Sequence, residues 1–434
     1  MDLLTAHPFA LAVGIIVVLS MLGAPIGLSM IGASIVYLAI SGQDIGLAAE
    51  QVLQGLYTSF TLLAIPLFIL AANLMNVGSL SDRLLDFCQA LVGRFRGGLG
   101  HVNVVSSLIF SGMSGSAVAD AVGVGRITTD MMMKDGRYTP SYSAAITAAT
   151  AVVGPIVPPS IPMVLFALVA DASVGYLFLA GFLPGVLMTI VMSGVNTWMA
   201  RKRNFPVEAA VPLRDLPRIT WYAMPALMMP VVLLGGIYGG VMTPTEAAAV
   251  AAAYALIVGW ALRMTTWSQT WESLVAAGRS TASVGILIAG ALVFNYVVAR
   301  ENIPNDIKLW LDGYQLTKNE FLLVINLLLL VLGCLLDAST ILLVIVPILI
   351  PAAQALGIDM VHFGLVVVMN LMIGLITPPY GILLFIVANY TRASMVDIVR
   401  DLTPFIVVLI ATLFLLTYMP DVVLWLPRMF GYSG

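Results

Sequence analysis

Hydroxyls, carboxylates and breakable backbone recur in this chain in one order, twice. The first set is Ser111-Gly-Met-Ser-Gly-Ser-Ala-Val-Ala-Asp120 followed by Gly154-Pro-Ile-Val-Pro-Pro-Ser160. The second is Gly333-Cys-Leu-Leu-Asp-Ala-Ser-Thr340 followed by Gly374-Leu-Ile-Thr-Pro-Pro-Tyr380. A Pro-Pro pair removes two backbone donors and cannot continue a helix. The break leaves carbonyls at the end of one half-helix and amide donors at the start of the next. Hydroxyl and carbonyl oxygens at about 2.3–2.6 Å are hard ligands that suit hard cations. Na⁺ is such a cation, so Ser111, Ser114 and the carbonyls of Gly154–Pro158, Val157 among them, could form one Na⁺ site. Gly333, Asp337 and Thr377 could form its partner, with anionic substrate groups preferring the amide ends and hydroxyls between the two. The alternative is that all of these are kink and packing residues.

Asp120 and Asp337 are the carboxylates inside the two small-residue clusters. A carboxylate at membrane depth costs roughly 2.5–3.5 kcal/mol or more, which makes each a functional candidate; the plainer reading is a cap on helix amides. Thr243-Pro-Thr-Glu246 reads instead as a capping box, with Thr at N-cap, Pro at N1 and Glu at N3. His7, His101 and His362 stand in no metal-ligand spacing, and Cys88 and Cys334 lie far apart. Gly112-Met-Ser-Gly115 fits the short pattern of an intramembrane serine protease, whose nucleophile needs a nearby histidine, with His362 as the one embedded candidate. No G-x-x-x-x-G-K-[ST] or H-E-x-x-H occurs, so neither P-loop hydrolysis nor zincin chemistry is encoded. The chain reads as no enzyme.

The elements that must hold these groups are membrane helices. Hydrophobic residues make up 60% of the chain and charged residues 9%, with a mean hydropathy of +1.03. The apolar stretches 8–41, 52–76, 141–200, 221–262 and 319–391 hold roughly ten to twelve spanning or re-entrant segments at about 20 residues per crossing. This is an all-α polytopic membrane protein with no basic stripe for nucleic acid. The N-terminus lacks a basic n-region and reads as a first membrane helix, not a signal peptide. Of 19 Lys and Arg, five (Arg201, Lys202, Arg203, Arg214 and Arg218) fall in one polar stretch. The positive-inside rule places this linker, 201–220, in the cytoplasm.

That stretch divides the chain into repeats of 1–200 and 221–434. A shift of 220 residues lays Gly154 on Gly374, Pro158-Pro159 on Pro378-Pro379, and Pro184 on Pro404. In each half a Gly/Ser-rich segment precedes the Pro-Pro break and reads as a re-entrant hairpin tip. The hairpins fall at about 100–125 and 319–352, and the broken helices at about 141–172 and 360–390. An odd number of crossings per repeat would invert the second half relative to the first.

These motifs, with Gly240-Val-Met-Thr-Pro-Thr-Glu-Ala-Ala-Ala249, resemble the large membrane subunit (DctM-like, M subunit) of tripartite ATP-independent periplasmic (TRAP) transporters. The matching pieces span most of the chain in the expected order. The resemblance implies two inverted-topology repeats and Na⁺-driven symport of an organic acid anion (a C4-dicarboxylate, sialic acid or another sugar acid) across the bacterial inner membrane. A soluble periplasmic binding protein (P-type) would deliver the acid. A small four-helix membrane subunit (Q-type) would be a separate chain. An elevator mechanism would move a transport domain, holding both hairpins and both broken helices, against a scaffold domain. In family terms Ser111, Ser114, Gly154, Val157 and Pro159 contribute to the first Na⁺ site, and Gly333, Asp337, Thr377 and Tyr380 to the second. Ser116, Asp120 and Thr340 lie in the hairpins within reach of substrate. A passive channel or scaffold subunit is the competing reading for such a bundle.

Overall fold

A computed structural model describes residues 8–76, 80–208, 211–212, 214–303 and 316–434; His7 lies outside them. The described residues are helical, apart from one isolated bridge between Arg96 and Val207. The first half runs α1 (Pro8–Met21), α2 (Ile26–Ile40), α3 (Gly46–Thr58), α4 (Ala64–Asn76), α5 (Leu80–Val92), α6 (Gly98–Ser114), α7 (Ala117–Val122), α8 (Val124–Met133), α9 (Pro140–Ala151), α10 (Ile161–Ala170) and α11 (Val174–Lys202). The second runs α12 (Leu216–Tyr238), α13 (Pro244–Ala261), α14 (Trp267–Arg300), α15 (Lys318–Gly333), α16 (Ala338–Ala355), α17 (Met360–Gly374), α18 (Ile382–Thr391), α19 (Met395–Tyr418) and α20 (Pro420–Met429). Among the described residues six helices are long and apolar enough to span a bilayer, and five more are apolar but shorter. Both totals reflect the breaks: apolar runs that read as spans in sequence are split into half-helices.

Local sequence explains where the helices start. Thr243 with Glu246, Thr266 with Gln269 and Thr317 with Glu320 each close a complete capping box, opening α13, α14 and α15. The polar stretch 201–220 opens with the last two residues of α11 and closes inside the first turn of α12.

Helices α9 and α17 sit at the centre. Every residue of α9 from Tyr142 and of α17 from Val361 is buried; α17 is apolar on nearly all faces, whereas α9 packs closely through small alanines, serines and threonines. α9 packs against α18 and α19, and α17 against α15 and α19. Around them α2, α4, α13 and α14 form an outer frame, in which α13 and α14 both pack on α4. Many large apolar side chains on the frame are exposed, including Ile257 and Trp260 of α13, consistent with a lipid-facing surface.

A buried polar pair locks the first limb of each hairpin to the broken helix beside it. Asn103 Nδ2 donates to Thr147 Oγ1 at 2.6 Å, and Asn370 Nδ2 donates to Asn326 Oδ1 at 2.9 Å. Asn326 and Asn370 each lie 223 residues beyond Asn103 and Thr147, so the lock occupies equivalent positions in the two halves. One departure is large. α3 and the segment Phe60–Asn76 meet at 77°, whereas the corresponding stretch of the second half, α14, is one helix of 34 residues.

Candidate functional site

The hairpin turn at 115–116 is made by glycine and serine. Gly115 takes φ +60°, and Ser116, extended, caps α7 by accepting the Ala119 amide at 3.3 Å. From there the chain returns through α7 and α8, so the first hairpin spans 98–133, eight residues beyond the expected end. The second reverses at 334–337, and its limbs part: α15 packs along α17, while α16 packs on α10 and α14.

Each hairpin tip reaches the Pro-Pro break of its own half. A Cβ on Gly115 would stand 2.4 Å from the Pro159 carbonyl oxygen, and one on Gly154 3.4 Å from the Ser116 carbonyl. In the second half the two backbones nearly touch, since a Cβ on Gly374 would lie 2.7 Å from Gly333 Cα. Both Pro158-Pro159 and Pro378-Pro379 are cis. Close approach of this kind requires glycine. Gly374→Ala is therefore expected to push the second hairpin off its break and cut transport at least tenfold. Gly154→Ala, whose nearest contact is 3.2 Å, should cost less than half the rate. Side-by-side uptake rates, normalised to membrane-inserted protein, check the order.

Both tips, and the residues flanking both breaks, open on one cavity of about 700 Å³. Ser114 to Ala119, Pro155 and the start of α10 line it from the first half; Asp337 to Ser339, Leu375 and the start of α18 line it from the second. The N-termini of α10 and α16, which carry partial positive charge, both face it.

The sequence-derived residues divide between two environments. Ser111, Ser114, Gly154, Val157 and Pro159 are all buried. Ser111 donates to the Ser107 carbonyl at 2.5 Å, and the Val157 side chain packs over Gly185 of α11. In the second half Gly333 is buried, Asp337 is exposed and Thr377 is half-buried, donating to the Ile373 carbonyl at 2.7 Å. Asp337 caps α16, with Oδ2 accepting the Ser339 amide at 2.9 Å. Tyr380 is 60% exposed and turns away to pack on Phe385, so only its backbone faces the break. Thr340 is buried one turn beyond Asp337.

Asp120 is fully buried behind the first tip and off the cavity wall. Apart from the adjacent Ser107 hydroxyl, its carboxylate oxygens have no hydrogen-bond partner, and the Ser114 hydroxyl is likewise unsatisfied. Ser107 lies beside Asp120. Ser107, Ser111 and Ser114 follow at i, i+4 and i+7, along one face of α6. Orphaned oxygens gathered in a buried place are the chemistry a hard monovalent cation satisfies, so these residues fit Na⁺. In contrast, among the described residues no base reaches Ser114, whose hydroxyl has no partner, and the buried His362 ring meets the Leu416 carbonyl at 3.1 Å instead.

Asn73 and Asn76 of α4 and Ser280 of α14 also line the cavity, and none was singled out from sequence. The available signal was two amides in an otherwise apolar run. Asn76 Oδ1 is buried without a partner and faces Gly123.

Residues 13–422 match the family described as the DctM component of tripartite ATP-independent periplasmic transporters. The chain belongs to that family. It is 40% identical over 418 residues to the sialic acid TRAP transporter large permease protein SiaM of Vibrio cholerae, covering 95% of this chain and 96% of the relative. It is 38% identical over 375 residues to the C4-dicarboxylate TRAP transporter large permease protein DctM of Pseudomonas aeruginosa, covering 86% and 88%. Among solved structures, the YdaH transporter of Alcanivorax borkumensis shares the fold, with a TM-score of 0.58 at 15% identity over 84% of this chain and 88% of that one. These matches and the apolar helices make the chain an integral membrane transporter subunit, and nothing in them indicates catalysis.

Proposed function

We propose that this chain is the large permease subunit of a secondary transporter that couples Na⁺ entry to uptake of an organic acid anion. One observation carries the reading: a single cavity is lined by both hairpin tips and by residues flanking both Pro-Pro breaks, Pro155 and Ile161 in the first half and Leu375 and Ile382 in the second. Discontinuous helices meeting at one cavity supply carbonyl ends for cations and amide ends for an anion.

Ser111, Ser114 and the carbonyls of Gly154, Val157 and Pro159 would hold one Na⁺; Gly333, Asp337, Thr377 and the Tyr380 carbonyl would hold another. Bound cations would offset the charge of Asp337 and draw the substrate carboxylate to the α10 and α16 N-termini. Ser116, on the cavity wall at the first tip, is a hydroxyl placed to contact the acid. Thr340 would orient the α16 tip from behind, and Asp120 would act through Ser107 and Ser114. The similar relatives are named for sialic acid and C4-dicarboxylates, and the acid carried here falls in that class.

The halves act as inverted repeats, and α6–α11 with α15–α19 move as an elevator against the frame. Residues 201–220 face the cytoplasm of a cell whose inner membrane holds the complex. A small Q-type subunit covers part of the frame's apolar flank, and a periplasmic binding protein delivers the acid. Uptake by the reconstituted complex should require both the binding protein and external Na⁺; transport that needs neither would point to a passive channel.

A further inference from the structure

A second groove, of about 570 Å³, lies between the return limb of the first hairpin and α18. It shares Val122 and Ile382 with the central cavity, so the two are continuous neighbours. Its one cation is Arg126. The guanidinium carbon stands 5.9 Å above the Tyr390 ring, and the Tyr390 hydroxyl is anchored on the Ala121 carbonyl at 3.2 Å. Asn389, Phe385 and Tyr380 complete the wall. Arg126 is exposed and forms no ion pair among the described residues. Asp120 and Asp130 lie near enough to act on Tyr390, yet neither pairs with it.

Arg126 lies eight residues short of Lys134, where the limb ends, which at 1.5 Å per residue is about 12 Å. An unpaired cation on a membrane segment is costly unless it faces water or a counter-ion. Beyond the groove, the return limb and the start of α19 both meet the polar stretch. Glu208 pairs with Arg137 at 3.0 Å just beyond the limb, and Arg203 pairs with Asp401 in the second turn of α19, close after α18.

We propose that this groove is a second anion site, through which a carboxylate leaving the central cavity passes to the 201–220 side. Arg126 would take the carboxylate, Asn389 a polar substituent, and the rings of Tyr390 and Phe385 the body of the acid. The route rests on the reading of the central cavity as the transport site, but the charge of the groove does not.

The test places one thiol in the groove. In full-length protein carrying Cys88→Ala and Cys334→Ala, reconstituted in vesicles, Phe385→Cys is labelled with anionic 2-sulfonatoethyl methanethiosulfonate and with its cationic trimethylammonioethyl analogue. Val396→Cys, at a position 77% exposed, is the reference. The anionic-to-cationic rate ratio should exceed the reference about tenfold, as expected for one nearby charge, and Arg126→Gln should remove the excess while Arg126→Lys keeps most of it. Sialic acid or succinate at millimolar concentration should slow labelling in phosphatidylcholine vesicles, and Arg126→Gln should abolish that protection. A ratio indifferent to Arg126 overturns the site. Protection by phosphatidylglycerol alone, with neither acid protecting, also overturns it and makes the groove a lipid site. Loss of sodium-driven uptake in the unmodified complex would sink the transport reading without altering the labelling ratio.

Discussion

Asp337→Asn is expected to abolish sodium-driven uptake, by about 100-fold or more, in protein that still inserts and folds. The proposed function gives the side chain, beside its cap, a second task that this substitution separates from it. As an N-cap it accepts the Ser339 amide at 2.9 Å, and Asn caps as well as Asp. As a cation ligand it brings a full negative charge to the cavity, which Asn lacks. Asp337→Ala removes the cap too, at a further cost of about 1 kcal/mol in stability. Initial uptake rates against Na⁺ concentration, beside thermal midpoints of the same preparations, separate the tasks. If Asp337→Asn kept the wild-type Na⁺ dependence and only Asp337→Ala failed, Asp337 would be a cap and nothing more.

Asp120→Asn should move stability and transport in opposite directions. The carboxylate is completely buried, with only the Ser107 hydroxyl beside it. An isolated charge in such surroundings costs several kcal/mol. The neutral isostere removes that cost, so the thermal midpoint in sodium-free buffer should rise by several degrees. If this pocket holds Na⁺ as proposed, uptake should fall at least tenfold, because the hydroxyls of Ser107 and Ser114 lose the charge beside them. Added Na⁺ should also raise the midpoint of the unmodified protein and lose that effect in Asp120→Asn. A variant that is more stable yet transports normally would leave Asp120 without a role in coupling.

Sequence carried the breaks and the helix starts because their signals are local and steric. Pro158-Pro159 and Pro378-Pro379 stop a helix whatever surrounds them, and Thr243 with Glu246 starts one. What it could not carry was depth. Asp120 and Asp337 look alike in sequence, each among small residues in an apolar run, but one is sealed behind a tip and the other faces the cavity. Burial is set by how neighbouring limbs pack: α6 lies along its return limb, whereas α15 and α16 separate. Tyr380 shows the same limit, since its place beside the break says nothing of which way the ring turns. Asn73, Asn76 and Ser280 come to the cavity from the frame, hundreds of residues from the second hairpin in the case of α4, and no local pattern marks them. The bend between α3 and Phe60–Asn76, absent from α14, makes the halves unequal where the sequence shift alone predicts likeness.

The central claim is that both tips and both breaks form one sodium-coupled site. Its most direct test is accumulation in sealed vesicles holding the complete complex, its binding protein and labelled acid, with a sodium gradient as the one driving force. Internal acid is predicted to rise above the external concentration and to fall back when a sodium ionophore collapses the gradient. Internal acid that never exceeds the external level, at a rate indifferent to the gradient, would contradict it.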